Sequence, residues 1–152
     1  MLIFLDTEFT DFIDIELISI GLVSQDGREF YAERNDFDVA KCNNFVRAGI
    51  LPMLTQNDSS VAMTRAELKV NLLSWLSQFR HQGEIQVGFD YSTDWELFLD
   101  ALDGEQPSWI GPALISDRID QARRESYFQL PGAKRHHALH DARANRHAFF
   151  VV

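Results

Sequence analysis

Three short segments of this chain carry side chains that could do chemistry together. The first is Asp6-Thr7-Glu8-Phe9. The second runs from Phe89 through Asp90 and Tyr91 to Asp94. The third is His136-His137-Ala138-Leu139-His140-Asp141-Ala142-Arg143. Residues two apart on a strand point to the same side, so Asp6 and Glu8 share one side of theirs. Two carboxylates at that range repel each other unless a cation lies between them. Hard cations such as Mg²⁺ take oxygen ligands and need few carboxylates when phosphate supplies the rest. The plain alternative is an Asp-x-Glu that merely ends a strand in a polar loop.

Asp94 has its own plain alternative. Thr93-Asp94-Trp95-Glu96 has the form of a capping box, which predicts a helix from there through Leu102. An acidic residue in a first helical turn gains ~0.3–1 kcal/mol from the helix dipole without any metal. Asp141 is expected in the first turns of a last helix, with His136 in the loop before it. Ala138 and Ala142 are small enough for that helix to pack closely. His136 and His140 also have the i, i+4 spacing of helical zinc sites, with Asp141 adjacent. However, the zinc-protease glutamate is missing, and Cys42 is the only thiol.

The elements that must position these groups are legible as patterns. Leu2 to Asp6 reads as a buried strand. Glu16 to Ser24 and Arg28 to Glu33 read as two more, joined by the turn residues Gln25-Asp26-Gly27. Val39 to Ala48 is expected to be helical. Thr64-Arg65-Ala66-Glu67 is a capping box, followed by Leu68, Leu72, Trp75, Leu76 and Phe79 on one helical face. Ile85 to Phe89 and Ala113 to Ser116 read as strands, Pro131-Gly132 as a loop, and Ala138 to Phe150 as the last helix. The predicted order is β-β-β-α-α-β-α-β-α, a three-layer α/β arrangement. No linker or internal repeat divides the chain, so one domain over residues 1–152 is expected.

Composition narrows the class further. Hydrophobic residues make up 45% of the 152, enough for a packed core rather than a disordered chain. No apolar run approaches the ~20 residues of a membrane helix. The apolar start lacks a basic region and a cleavage site, and reads as a strand rather than a signal peptide. A single cysteine excludes an internal disulfide, so a reducing, cytoplasmic compartment is expected. The net charge of −9 argues against a general nucleic-acid coat protein. The charge is uneven, though. Residues 1–117 hold 20 acidic and 7 basic side chains, whereas residues 118–146 hold 3 and 7. The basic stretch includes Arg118, Arg123, Arg124, Lys134 and Arg135, shortly before the histidines.

Four carboxylates and a histidine, ordered Asp6, Glu8, Asp94, His136, Asp141, resemble the DEDDh 3′-5′ exonucleases. That superfamily includes ribonuclease T, oligoribonuclease and proofreading exonucleases. His136-x-Ala-Leu-x-Asp141 resembles its third motif. Members often carry Asn four residues before the middle aspartate, where this chain has Asp90. Within the superfamily, Asp-Thr-Glu-Phe, the ELISIG segment Glu16 to Gly21, Asp26-Gly27-Arg28-Glu29 and the His-x-Ala-Leu-x-Asp-Ala-Arg ending resemble the mycobacterial-type 3′-5′ exoribonucleases.

The resemblance implies a ribonuclease H-like fold, with a five-stranded mixed sheet flanked by helices. It implies two Mg²⁺ or Mn²⁺ ions held by Asp6, Glu8, Asp94 and Asp141. His136 is then the general base, and an imidazole, titrating near pH ~6.5, suits that role. Phe9 becomes a stacking surface for the terminal base, or else a core aromatic. The implied partner is the 3′ end of single-stranded RNA, with nucleoside 5′-monophosphate as product. A DNA-directed exonuclease and a non-catalytic RNA-end-binding module are the alternatives. A homodimer is an open expectation, because a small domain has little surface to hold a long strand. His137 and His140 are expected at the surface.

Overall fold

β1, Leu2–Phe9, shows why the sequence can build two opposite environments from one strand. Ile3 and Leu5 are fully buried in the main core, whereas Phe4 joins a separate cluster with Ile115, Ile119 and Ala148. The period of two then carries Asp6 and Glu8 to the Phe4 side. The computed structural model describes residues 1–55 and 58–151. β2, Leu17–Ser24, is buried along its whole length. It runs antiparallel to β1, with Asp6 opposite Gly21 and a register shift between Glu8 and Phe9. β3, Glu29–Arg34, pairs antiparallel with β2.

The chain then leaves the sheet. Val39–Lys41 is one 3-10 turn, and α1 covers only Asn44–Gly49. The helix expected over Val39 to Ala48 is therefore split. Asn43 causes the break: its side chain caps α1 through the Val46 N–H, and its own backbone N–H donates to the Thr10 carbonyl. A two-residue strand, β4 (Ala62–Met63), pairs parallel with β3. α2, Arg65–Ser77, follows with the Thr64–Glu67 capping box formed reciprocally. Its Leu68, Leu72 and Leu76 are buried in the main core together with Phe79.

β5, Ile85–Phe89, lies parallel to β1. α3 spans Ser92–Ala101 and lays Leu97, Phe98 and Ala101 on the same core face as α2. The second capping box does not form. The helix starts at Ser92, after Tyr91, without a side-chain cap, and Asp94 is turned to another partner. β6 is Ile110–Leu114 rather than Ala113 to Ser116, in parallel register with β5. Its Pro112 is tolerated because β6 is an edge strand. Ser116–Arg118 form a 3-10 turn, and α4, Gln121–Tyr127, is a short helix without buried residues. α5, Ala138–Ala148, ends earlier than expected, because Phe149 bridges to Ile119.

The result is a mixed sheet ordered β4-β3-β2-β1-β5-β6 with helices packed on it. It has six strands where five were expected; the addition is β4. No helix among the described residues is long and apolar enough to cross a membrane.

α5 lies on the face opposite α2 and α3. Its inner positions are small: Ala138, Ala142, Ala144 and Ala148 are buried. The sheet answers with Gly21. A Cβ there would sit 2.4 Å from backbone atoms of Ala138 and Leu139. Only glycine lets the first turn of α5 come this close to β2, directly across from Asp6.

Candidate active site

Each acidic group arrives from a different part of this scaffold. Asp6 and Glu8 project from the end of β1. Asp94 is 3% exposed, and its Oδ1 accepts from the Thr7 backbone N–H at 3.1 Å and the Thr7 hydroxyl at 2.6 Å. Thr7 faces the α2–α3 side of β1, so it clamps α3 to the strand bearing Asp6 and Glu8. Asp141 lies in the first turn of α5, and its Oδ2 accepts from the His137 backbone N–H at 3.0 Å. That bond holds the carboxylate back over the helix start.

The four carboxylates expected from the sequence do come together, in two overlapping groups. Asp6, Glu8 and Asp141 offer oxygens within 4.8 Å of one another, as do Asp6, Asp90 and Asp94. Asp6 is common to both. Asp90 belongs to the second group, at the position where the resembled family often has Asn. Its Oδ1 accepts from the Asn145 amide at 3.2 Å, and its Oδ2 faces Arg124 at 3.0 Å. The spacing of Asp90 in the sequence gave no sign that it would face this cluster.

The electrostatics are those of a crowded anionic site. Burial pushes the Asp6 carboxyl well above its ordinary range, and Asp94, Asp141, Glu8 and Asp90 push it the same way. Glu8 rises to about 8, first through burial and then through Asp141 and Asp94. Burial lifts Asp94 to about 7 despite the bonds from Thr7. Asp141 is raised too, again by burial, against the opposing His137 N–H and Arg124. Two like charges 4 Å apart cost roughly 4 kcal/mol at an effective dielectric of ~20. Such a cluster is poorly suited to stability alone. An all-oxygen donor set at this spacing fits hard divalent cations.

Asp6, Glu8 and Asp141, but not Asp94 or Asp90, open onto a cavity of about 310 Å³ lined also by Thr7, His136, Arg124, Glu125, Phe128 and Arg135. His136 is exposed and takes a left-handed backbone conformation, φ 56°. That conformation costs a non-glycine residue roughly 1–2 kcal/mol. Its ring meets Phe45 edge-on at 4.9 Å. Arg135 pairs with Glu125 and stacks over Phe128 at 4.3 Å.

His137 points elsewhere. It stacks on Tyr31 with ring centres 4.6 Å apart, and burial lowers its pKa to about 4. His140 packs edge-on against it at 4.8 Å. Neither is a free surface residue, which corrects the expectation. The backbone turn at His136 separates the two neighbours: one ring reaches the cavity and the next is held in the packing. Among the described residues, no histidine falls in a metal-binding group of three, which leaves the His136–His140 zinc pair without a third ligand. Phe9 is partly buried against the main core and meets Phe12 edge-on at 5.3 Å; it does not line the cavity.

No protein-family model matches the chain. Two proteins of Mycobacterium tuberculosis, from strains CDC 1551 / Oshkosh and ATCC 25618 / H37Rv, are similar to it, and each is named a 3′-5′ exoribonuclease. Identity to each is 42% over 74 residues, covering 48% of this chain and 44% of the relative. The chain thus matches less than half the length of either relative. The similarity supports a place in an exonuclease family.

Proposed function

We propose that this chain is a metal-dependent 3′-5′ exoribonuclease of the DEDDh type, with residues 1–152 forming one ribonuclease H-like domain. The observation that carries this reading is the meeting of Asp6, Glu8, Asp94 and Asp141, from three distant segments, beside a cavity lined by His136. The exoribonuclease names of the two relatives support RNA as the substrate class.

Asp6, Glu8, Asp94 and Asp141 would hold two Mg²⁺ or Mn²⁺ ions. When bound, the ions stabilise negative charge on the attacking and leaving oxygens of an in-line displacement. His136 accepts the proton of the attacking water. Thr7 keeps Asp94 oriented, and the His137 N–H does the same for Asp141. The terminal nucleotide leaves as a 5′-monophosphate, and the shortened strand keeps a 3′ hydroxyl. A module that only bound RNA ends would gain nothing from mutually repelling carboxylates.

Incubation of a 3′-labelled RNA oligonucleotide with the protein and Mn²⁺ tests the reading. The expected product is labelled mononucleotide, blocked by EDTA and restored by Mg²⁺ or Mn²⁺ but not by Zn²⁺ alone. Faster release from the matched DNA would move the assignment to the DNA-directed alternative. No release from either would leave only a binding module.

A further inference from the structure

Arg124 is the one cation in direct contact with carboxylates of both acidic groups among the described residues. Its Nη1 lies 3.0 Å from Asp90 Oδ2, and its Nη2 lies 4.0 Å from Asp141 Oδ1. Its Nε is buried without a hydrogen-bond partner. The same guanidinium lines the cavity that His136 faces. It rides on α4, whose seven residues include none that is buried. The other arginine of that cavity, Arg135, is already engaged by Glu125 and Phe128.

We propose that Arg124 exchanges partners on metal binding: it serves as the resident counter-ion of the carboxylate cluster, and divalent cations displace it onto the substrate phosphate. This rests on the metal-dependent reading above. A guanidinium and divalent cations compete for the same oxygens. When the ions take Asp141 and the carboxylates beside Asp90, the attraction that held Arg124 there turns to repulsion between cations. Its planar fork then matches phosphate oxygens, which it can grip with two donors at once. The unpartnered Nε fits this account, since the resting contacts leave a donor unused. α4 lacks core anchors, so the side chain can shift without disturbing the packing of the sheet. Arg124 thereby couples metal occupancy to substrate binding.

The two halves of the exchange have opposite signs, which a merely structural residue does not produce. Mn²⁺ binding is titrated calorimetrically without nucleotide, and adenosine 5′-monophosphate binding is then titrated at saturating Mn²⁺. Arg124→Gln should bind Mn²⁺ about tenfold more tightly, the change that ~1.4 kcal/mol produces. It should bind the nucleotide about tenfold more weakly. Arg124→Lys keeps the charge but loses the fork, so it should leave Mn²⁺ affinity near the wild-type value and still weaken the nucleotide. Arg123→Gln, an exposed neighbour with the same change in net charge, should move neither by more than about twofold. The proposal is overturned if both affinities of Arg124→Gln move the same way, if either stays unchanged, or if Arg123→Gln does as much. Absence of Mn²⁺ binding to the unaltered protein would overturn the metal-dependent reading itself, and this inference with it.

Discussion

α2 and α5 pack on opposite faces of one sheet, and they are built for different ends. α2 begins with a reciprocal capping box and buries Leu68, Leu72 and Leu76 in the main core. Every local preference there agrees with the fold. α5 begins without a side-chain cap, at His137 in an extended conformation, directly after His136 in a left-handed one. It buries alanines rather than leucines and needs Gly21 to reach the sheet. Beside its first turn lie carboxylates that repel one another. The α2 side holds most of the largest fully buried side chains. The α5 side holds costly groups that a scaffold of this kind is needed to keep in register.

The largest effects should come from breaking the α5 side chemically while leaving its shape. Asp6→Asn or Asp141→Asn should abolish RNA shortening while the fold persists. The metal-free variant should melt at or above the wild-type temperature, because repulsion is relieved. More than a tenth of wild-type activity in either purified variant would refute the ligand assignment. His136→Ala should lower the rate by roughly 10²–10⁴, the range for losing a general base, with Mn²⁺ binding largely kept. His137→Ala should cost less in rate and more in stability, since its ring is packed on Tyr31. A reversed pattern between the two would place the base one residue along.

How far these roles could be read from the chain differs between the two sides in the same way. β1 to β3, β5 and α2 followed from alternation, turn residues and the Thr64 capping box, because local preference and tertiary demand coincide there. Asp6, Glu8, Asp94 and Asp141 were legible as a set from their motifs. Asp90 and Arg124 were not singled out as members of the cluster. They meet it only through the sheet order, which brings β5 beside β1 and α4 against α5. The apparent capping box at Thr93 failed because the helix starts earlier, at Ser92, which places Thr93 inside the helix and buried rather than at its N-cap. β4 and α4 escaped notice for another reason. A two-residue strand and a helix with no buried face leave no periodicity to detect.

Stability changes should sharpen the contrast. Leu72→Ala should destabilise by ~2–5 kcal/mol, the usual cost of a core cavity, yet change the turnover of the folded fraction by less than about twofold. Gly21→Ala adds one methyl group but must push α5 away from β2. It should cost a comparable ~1–3 kcal/mol and also lose most activity, because Asp141 moves with the helix. Equal losses of turnover in both variants, measured at matched folded fraction, would erase the distinction between the sides.

The smallest effect is a pH signature of the site. Glu8 rises from 4.5 to about 8 in the fold, so between those values the folded, metal-free protein holds protons that the unfolded chain has released. Its stability should therefore fall as pH rises from about 5 to 8. Mg²⁺ or Mn²⁺ should flatten this slope, raise Tm most near pH 8, and release protons on binding. A metal-free Tm that climbs steadily over that range would contradict the crowded-carboxylate picture.

In the proposed reaction, the carboxylates at the end of β1, with His136, remove nucleotides one at a time from a 3′ end. A time course on 5′-labelled single-stranded RNA with Mn²⁺, run beside the same RNA closed into a circle, tests it most directly. The expected result is a ladder that shortens by single nucleotides from the linear RNA, an intact circle, and loss of the ladder in Asp141→Asn. Immediate internal fragments, or cutting of the circle at a similar rate, would show an endonuclease and contradict it.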